Sequence, residues 1–418
     1  LFIIIPCLKG EYHLKKFLLL FLFVITSVYV FPQNGFFSTK GKEILDINGS
    51  PIQLKGTNLG NWLVPEGYMF KFGTVSSPRL INQAITELIG PDAARSFWKK
   101  FRDNYITRED IHFIRSLGFN SIRVPFNFRL FVSEEYPDIS IPVGFEMLER
   151  VIKWCKEEQL YVILDMHCAP GGQTGDNIDD SWGYPYLFEN EESQLLAIKI
   201  WKSIAEKYAD ENIIIGYDLL NEPIAHYFDT KKLNPLLEPF YKRLVTELRT
   251  VDKNHIMFLG GAQWDGNFDV FGKPFDSKLV YTFHKYWTEP VKQVIQPYLD
   301  FSNKYNVPLY MGESGENTDE WITAFREMLD SNKISWHFWP YKKLDATAGI
   351  VSIKMTDEYK EVIKFVTGDR SNYEKIRQSR PDAAIIKKAL DDFLENCRLK
   401  NCVINEGYIK ALGAEKVK

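Results

Sequence analysis

Eight short apolar runs separated by helix-forming stretches constrain this chain more than any other feature. The runs are IQLKGTN (52–58), FNSIRV (119–124), LYVILDM (160–166), NIIIGYDLL (212–220), HIMFLG (255–260), KLVYTF (278–283), VPLYMG (307–312) and ISWHFW (334–339). They are rich in Ile, Val, Leu and aromatic residues, and they read as strands buried on both faces. Between them lie amphipathic stretches such as FEMLERVIKWCKEE, SQLLAIKIWKSIAEKY, LEPFYKRLVTELRTVD and DEWITAFREMLDSN, whose apolar residues recur at helical spacing. Eight strands alternating with helices imply an α/β fold, the (β/α)8 TIM barrel, with chemistry at the C-terminal ends of the strands. Residues 59–105 and 168–190 form long β/α loops, and loops of such length are commonly functional. The catalytic barrel is expected over 35–368, closed by a helix at 355–366. A charged helical C-terminal extension (369–418) follows, with no recognisable chemistry of its own.

The 418 residues, 45% hydrophobic and 25% charged, suffice for a large core. A net charge of −4 and the absence of any Lys/Arg block beyond short pairs argue against a nucleic-acid partner. Aromatic residues reach 15%, with ten Trp. Most belong in a core, but the excess suits carbohydrate, because ring faces stack on sugar C–H faces. Lys15 and Lys16 precede FLLLFLFVITSVYV (17–30), the charged and apolar regions of a signal peptide. That run is too short for a comfortable bilayer span, and no Cys follows it as a lipid attachment point. The expectation is a secreted or periplasmic monomer with no stable membrane span after cleavage. Residues 1–34 would be upstream segment and signal peptide, with the mature start within roughly ten residues after Val30. Setting Cys7 aside leaves Cys155, Cys168, Cys397 and Cys402, which form no zinc spacing or disulfide framework. Cys397 and Cys402, five apart, could pair in an oxidising compartment.

The ends of the runs carry the chemistry. DLLNEP (218–223) sets Asn221 and Glu222 at the end of the fourth strand, and VPLYMGE (307–313) delivers Glu313 at the end of the seventh. Paired carboxylates suggest glycoside hydrolysis. Arg123 follows the second strand, His167 the third, His284 and Tyr286 the sixth, and Trp339 the eighth. Over roughly residues 40–350 this ordered set resembles glycoside hydrolase family 5, the cellulase family of retaining β-glycosidases. The resemblance implies Glu222 as general acid/base, its pKa raised by partial burial and a neighbouring carboxylate, and Glu313 as nucleophile, kept ionised by Arg123 and Tyr286. It further implies Asn221 on the sugar 2-hydroxyl, His167 and His284 positioning hydroxyls and carboxylates, and Trp339 as a hydrophobic floor, with no metal and no cofactor. RDNYITREDIHFIRSLGFNSIRVPFNF (102–128), LDMHCAPGGQTGDN (164–177) and NLGNWLVPEGYM (58–69) are similar to the exo-β-1,3-glucanase branch; the Asp-rich stretch after residue 176 departs from it. The implied substrate is β-glucan, with β-1,3 linkages favoured. The implied reaction is double displacement with the two carboxyl groups about 5–5.5 Å apart.

Alternatives stand beside this reading. One is an endo-β-1,4-glucanase or mannanase of the same family, and another is a catalytically silent carbohydrate-binding barrel. A metal-dependent barrel hydrolase would use Asp165, His167, His284 and the acidic loop, but neither an H-x-H nor an H-E-x-x-H spacing is present. Glu316 competes with Glu313 as nucleophile, although Glu313 directly follows its strand. Arg123 could be a structural ion pair, and His167, His284 or Trp339 core residues. The DNIDD segment (176–180) offers carboxylates to calcium but lacks EF-hand spacing, and reads rather as a solvated or sugar-contacting loop.

Overall fold

A computed structural model describes residues 35–415, so the expected leader, with Lys15, Lys16 and the apolar run, lies outside the described residues. All eight apolar runs form strands: β1 (Lys55–Asn58), β2 (Ser121–Asn127), β3 (Tyr161–Cys168), β4 (Ile214–Asp218), β5 (Ile256–Gly260), β6 (Leu279–His284), β7 (Leu309–Glu313) and β8 (Ser335–Phe338). They pair in parallel in sequence order, and β8 closes on β1 to complete the barrel. Side-chain alternation on β3 shows how the layers arise. Val162, Leu164 and Met166 pack among the helices, whereas Ile163 joins Leu54, Ile215, Ile256, Phe258, Val280 and Tyr310 in a separate apolar layer inside the barrel. Asp165 and His167, further along the same face, reach the mouth. Phe37 belongs to the inner layer and packs edge-on to Tyr161 at 4.7 Å, while Phe36 meets His255 at 5.4 Å. These two residues lead into a small antiparallel sheet (Ser38–Lys40, Glu43–Leu45, Pro51–Ile52) beside the barrel's floor.

The first connection holds three helices, α1 (Pro78–Ile89), α2 (Pro91–Tyr105) and α3 (Arg108–Ser116). Then come α4 (Val143–Glu158), α5 (Glu191–Tyr208), α6 (Thr230–Leu248), α7 (Gln296–Tyr305), α8 (Asp319–Ser331) and α9 (Asp357–Thr367). Side-chain caps start several of them: Asn190 accepts the Ser193 N–H, Thr318 that of Trp321 and Thr356 that of Tyr359. The expected strict alternation fails once. The fifth connection holds only a distorted turn, Ala262–Asp265, in which Gln263 and Trp264 are left-handed, because Gly261, Gly266, Gly272 and Pro274 interrupt any helical pattern there.

The C-terminal segment forms α10 (Tyr373–Ser379), α11 (Ala383–Asn396) and α12 (Glu406–Ala411). Phe393 of α11 stacks on Phe101 at 6.1 Å and Tyr359 at 4.9 Å, and Val403–Ile404 pairs with Val351–Ile353, so this segment shares the barrel's apolar core. Cys155, Cys168, Cys397 and Cys402 are all free thiols. The pairing of Cys397 with Cys402 is therefore not formed; Cys402 Sγ instead faces the Asn396 carbonyl at 3.2 Å. Among the described residues, no helix is long and apolar enough to cross a membrane.

Candidate active site

The mouth of the barrel is organised by one buried cation. Arg123, fully buried on β2, donates from Nε to Asp218 Oδ2 (2.9 Å), from Nη1 to Asn58 Oδ1 (3.1 Å) and Glu313 Oε1 (2.5 Å), and from Nη2 to Asn221 Oδ1 (2.9 Å). Asp165 Oδ2 lies 3.1 Å from Nη2. Burial tends to strip Arg123 of its proton, but the three carboxylates around it outweigh that and hold it charged. The converse is that one cation cannot fully compensate three anions. Burial pushes Asp165 and Asp218 up to about 7, against the pull of Arg123.

Glu313 Oε2 accepts the Tyr286 hydroxyl at 3.1 Å, and His167 Nδ1 and His284 Nδ1 each stand 3.9 Å from its carboxylate. Glu222 Oε1 meets His284 Nδ1 at 2.8 Å, and an oxygen of Glu222 lies within 4.8 Å of one of Glu313. Their environments differ. Burial raises Glu313 above the usual carboxylate range, while Arg123 opposes the rise. Burial and the adjacent Glu313 charge together push Glu222 well up, so the pair's proton resides on Glu222. His167 completes the layer. Burial lowers its pKa to about 3, and the neutral ring donates Nδ1–H to Asp165 at 2.8 Å while Nε2 accepts from Asn221 Nδ2 at 3.4 Å. Trp339 lies parallel to the His167 ring at 5.5 Å and 8°, and donates its indole N–H to the Tyr68 hydroxyl at 2.6 Å. Gly60 makes room for it, since a Cβ there would fall 2.6 Å from the indole. The eight residues expected at the strand ends, Arg123, His167, Asn221, Glu222, His284, Tyr286, Glu313 and Trp339, thus converge on one mouth, although Arg123 lies within β2 rather than after it and Asn221 and Glu222 lie beyond the end of β4.

A family model described as cellulase (glycosyl hydrolase family 5) matches residues 82–345, more than half of the chain. The chain belongs to glycosyl hydrolase family 5. A protein named beta-xylosidase from Phanerodontia chrysosporium is 31% identical over 294 residues, 69% of this chain and 59% of the relative, so the chain spans well under two thirds of that relative's length. Glucan 1,3-beta-glucosidase 2 of Wickerhamomyces anomalus is 25% identical over 347 residues, 77% of this chain and 73% of the relative. Endoglucanase C of Acetivibrio thermocellus is 24% identical over 311 residues, 60% of this chain and 88% of the relative. The structure of an endogalactoceramidase covers 90% of this chain and 84% of its own, with a TM-score of 0.59 at 15% identity. That of rutinosidase from Aspergillus niger covers 70% and 90%, with a TM-score of 0.56 at 19% identity. These two structures share the barrel fold.

Several residues around the mouth of this family 5 hydrolase escaped the sequence reading. Asn58 and Asp218, which end β1 and β4, and Asp165 within β3, named before only as a candidate metal ligand, serve Arg123; the signal was the Asp within LYVILDM and IIIGYDLL, where an apolar strand tolerates a charge only if a partner waits for it. Glu66, from the long first connection, is buried with Oε1 unpartnered among the described residues, and burial followed by the Glu313 charge raises its pKa well above the ordinary value. Glu316 is engaged elsewhere, its Oε2 receiving Lys343 Nζ at 2.5 Å. The DNIDD segment is a correction: Asp179 and Asp180 are buried. Asp179 accepts backbone N–H groups of Thr174 (2.6 Å), Gly175 (2.8 Å) and Ser181 (3.0 Å), and Asp180 pairs with Arg129, so these carboxylates hold the loop's shape. Glu222, His284 and Glu313 offer donor atoms within 4.8 Å of one another. Those atoms already serve each other and Arg123, which leaves the trio poorly suited to hold an ion.

Proposed function

We propose that this family 5 hydrolase cleaves β-glucan with retention of anomeric configuration, using Glu313 as nucleophile and Glu222 as acid/base. The observation that carries the reading is a carboxyl pair with oxygens within 4.8 Å and unequal surroundings. Retaining pairs stand about 5–5.5 Å apart, whereas inverting pairs need about 6.5–9.5 Å to admit a water. Glu313, anchored by Arg123 and Tyr286, attacks the anomeric carbon while Glu222 gives its proton to the departing oxygen. Glu222 then takes a proton from the water that releases the glycosyl group. The second hydrogen on Asn221 Nδ2 is available to the sugar 2-hydroxyl, and Trp339 supplies an apolar floor. We further propose that the protein is secreted, on the strength of the charged and apolar leader pattern at 15–30.

β-1,3-Glucan is favoured because the matched relatives include a glucan 1,3-beta-glucosidase and the first connection carries NLGNWLVPEGYM. The relative named beta-xylosidase supports a second reading, a β-xyloside substrate. Product analysis on laminarin, mixed-linkage glucan, carboxymethylcellulose and mannan, with aryl β-glucoside and β-xyloside alongside, separates the two. Laminarin should release β-configured sugar first. Turnover of the xyloside with no product from any glucan would sink the glucan assignment.

A further inference from the structure

Asp265 is a carboxylate at the mouth to which the reaction above gives no task. It is fully buried in the turn that opens the fifth connection, with Oδ2 3.2 Å from His284 Nε2, close but off hydrogen-bond geometry, and accepting the Glu222 N–H at 3.4 Å; Oδ1 and His284 Nε2 have no hydrogen-bond partner among the described residues. The backbone is bent to put it there. Gln263, Trp264 and Asp265 have φ of 52°, 59° and 58°, and they face Glu222 and Ile224 at 48° and 56°, all non-glycine residues in the left-handed region. Gln263 N–H bonds the Ile224 carbonyl at 2.9 Å, and Trp264 N–H reaches that of Pro223 at 3.4 Å. Such residues persist only where their surroundings over-determine them, and they gather at functional sites. Gly260 permits the approach, since a Cβ there would stand 2.0 Å from Asp265 Oδ1.

His284 joins Asp265 to Glu222 through its two nitrogens. Resting on the assignment of Glu222 as the acid, we propose that Asp265 is a positioning residue that fixes the His284 proton on Nε2, so that the bare Nδ1 accepts the Glu222 O–H and the acid keeps its proton. The competing arrangement has the same number of protons: Asp265 is protonated, and Nδ1–H donates to a Glu222 carboxylate. It sets two negative charges within 4.8 Å, on Glu222 and Glu313. The proposed arrangement moves one of them to Asp265, across the imidazole, where burial and the Asp218 charge oppose it while Arg123 and the Glu222 N–H favour it. The other groups facing this trio are Glu66 from the first connection, Arg123 on β2, Asp165 and His167 on β3, Asp218 on β4, Tyr241 on α6, Tyr286 after β6, Tyr298 on α7 and Glu313 on β7. Arg123 is already shared among Asp165, Asp218 and Glu313. Burial keeps the His284 ring neutral, so its single proton must choose one nitrogen.

The unmodified protein carries the first test. ¹⁵N-histidine NMR near pH 6, with His284 assigned by its loss in His284→Gln, should show the Nε2–H tautomer; an Nδ1–H tautomer overturns the proposal whatever any variant does. Asp265→Ala removes the acceptor, so the ring proton should move to Nδ1 and stabilise the Glu222 carboxylate. The alkaline limb of kcat/KM for a glycoside with a poor leaving group should then fall by about one pH unit, while a dinitrophenyl glycoside is little affected. Asp265→Asn, whose amide oxygen can face both N–H groups, should recover most of that shift. A merely structural role would lower kcat or Tm and leave the limb in place, and an unmoved limb in folded Asp265→Ala overturns the proposal. Failure of the acid assignment would look different: Glu222→Ala would slow activated and poor leaving groups alike, without bearing on the tautomer.

Discussion

Glu313 ends β7 and Glu222 lies just past β4 of the same barrel, yet single substitutions should part them cleanly. Glu313→Ala removes the atom that forms the glycosyl bond and should abolish turnover of every glycoside. Glu222→Ala should still be glycosylated by substrates with activated leaving groups and be partly rescued by azide, giving a β-glycosyl azide identifiable by NMR. Rescue of the Glu313 variant with an α product would reverse the two roles. Arg123→Lys keeps the charge but loses the planar fork that reaches Asp165, Asp218 and Glu313 at once. It should cost on the order of 3 kcal/mol in chemical denaturation and lower kcat markedly; wild-type stability would mean that the guanidinium contacts are not holding the mouth together. At this scale the sequence was legible at the ends of the apolar runs, where His167, Asn221, Glu222, His284, Tyr286 and Glu313 come shortly after a run and Arg123 and Trp339 fall among its last residues. It was opaque for Glu66, which sits in the long first connection without periodicity. It was opaque too for Asp265, whose role depends on a left-handed turn that no residue pattern announces.

Elements matter here through the loops they leave at the mouth. The fifth connection was expected to contain a helix and instead makes a tight turn, because glycines on both sides of QWD remove the helical register while the chain must still bring Asp265 beneath His284. Its misreading and its use have the same cause: local preference yields where a site demands a particular backbone. The eight strands were readable because burial on both faces writes an uninterrupted apolar run. The DNIDD loop misled because a carboxylate accepting buried backbone N–H groups looks, in sequence, like a solvated one. Gly60 tests how the first loop supports the eighth. Gly60→Ala puts a methyl carbon 2.6 Å from the Trp339 ring, so the indole must move. Activity should fall by roughly tenfold or more while Tm changes by only a few degrees, and the Trp339–Tyr68 hydrogen bond should be lost. Unchanged kinetics would show that the floor tolerates displacement.

The whole molecule balances two sets of buried titratable groups. Asp165 and Asp218 at about 7 and Asp179 at about 6 are raised by burial above an unfolded value of about 3.9. Between roughly pH 4 and 6 they therefore hold protons that the unfolded chain has released, and their contribution to stability falls as pH rises. His167 and His337 at about 3, with His284 also lowered, act in the opposite sense. The unfolded chain binds protons below about pH 6.5 that the native rings refuse, so their contribution falls as pH drops. Glu66 and Glu222 are raised well above the ordinary range as well and join the aspartates, so the acids outweigh the three histidines, and calorimetry should find Tm falling as pH rises from about 4.5 to 6. A steep loss on acidification would mean that the aspartates around Arg123 are ionised. The floor of the barrel has a consequence of a different kind, for how the chain can be trimmed. Phe36 and Phe37 act as a stopper against His255, Tyr161 and the inner apolar layer, and the Gly35 carbonyl accepts from Asn212 Nδ2 at 3.3 Å. A leader peptidase that cuts after position 30 and before Gly35 leaves the stopper seated. Trimming past Phe37 uncorks the barrel and should cost about 3 kcal/mol or more, so intact-mass measurement of exported protein should find its first residue no later than Gly35.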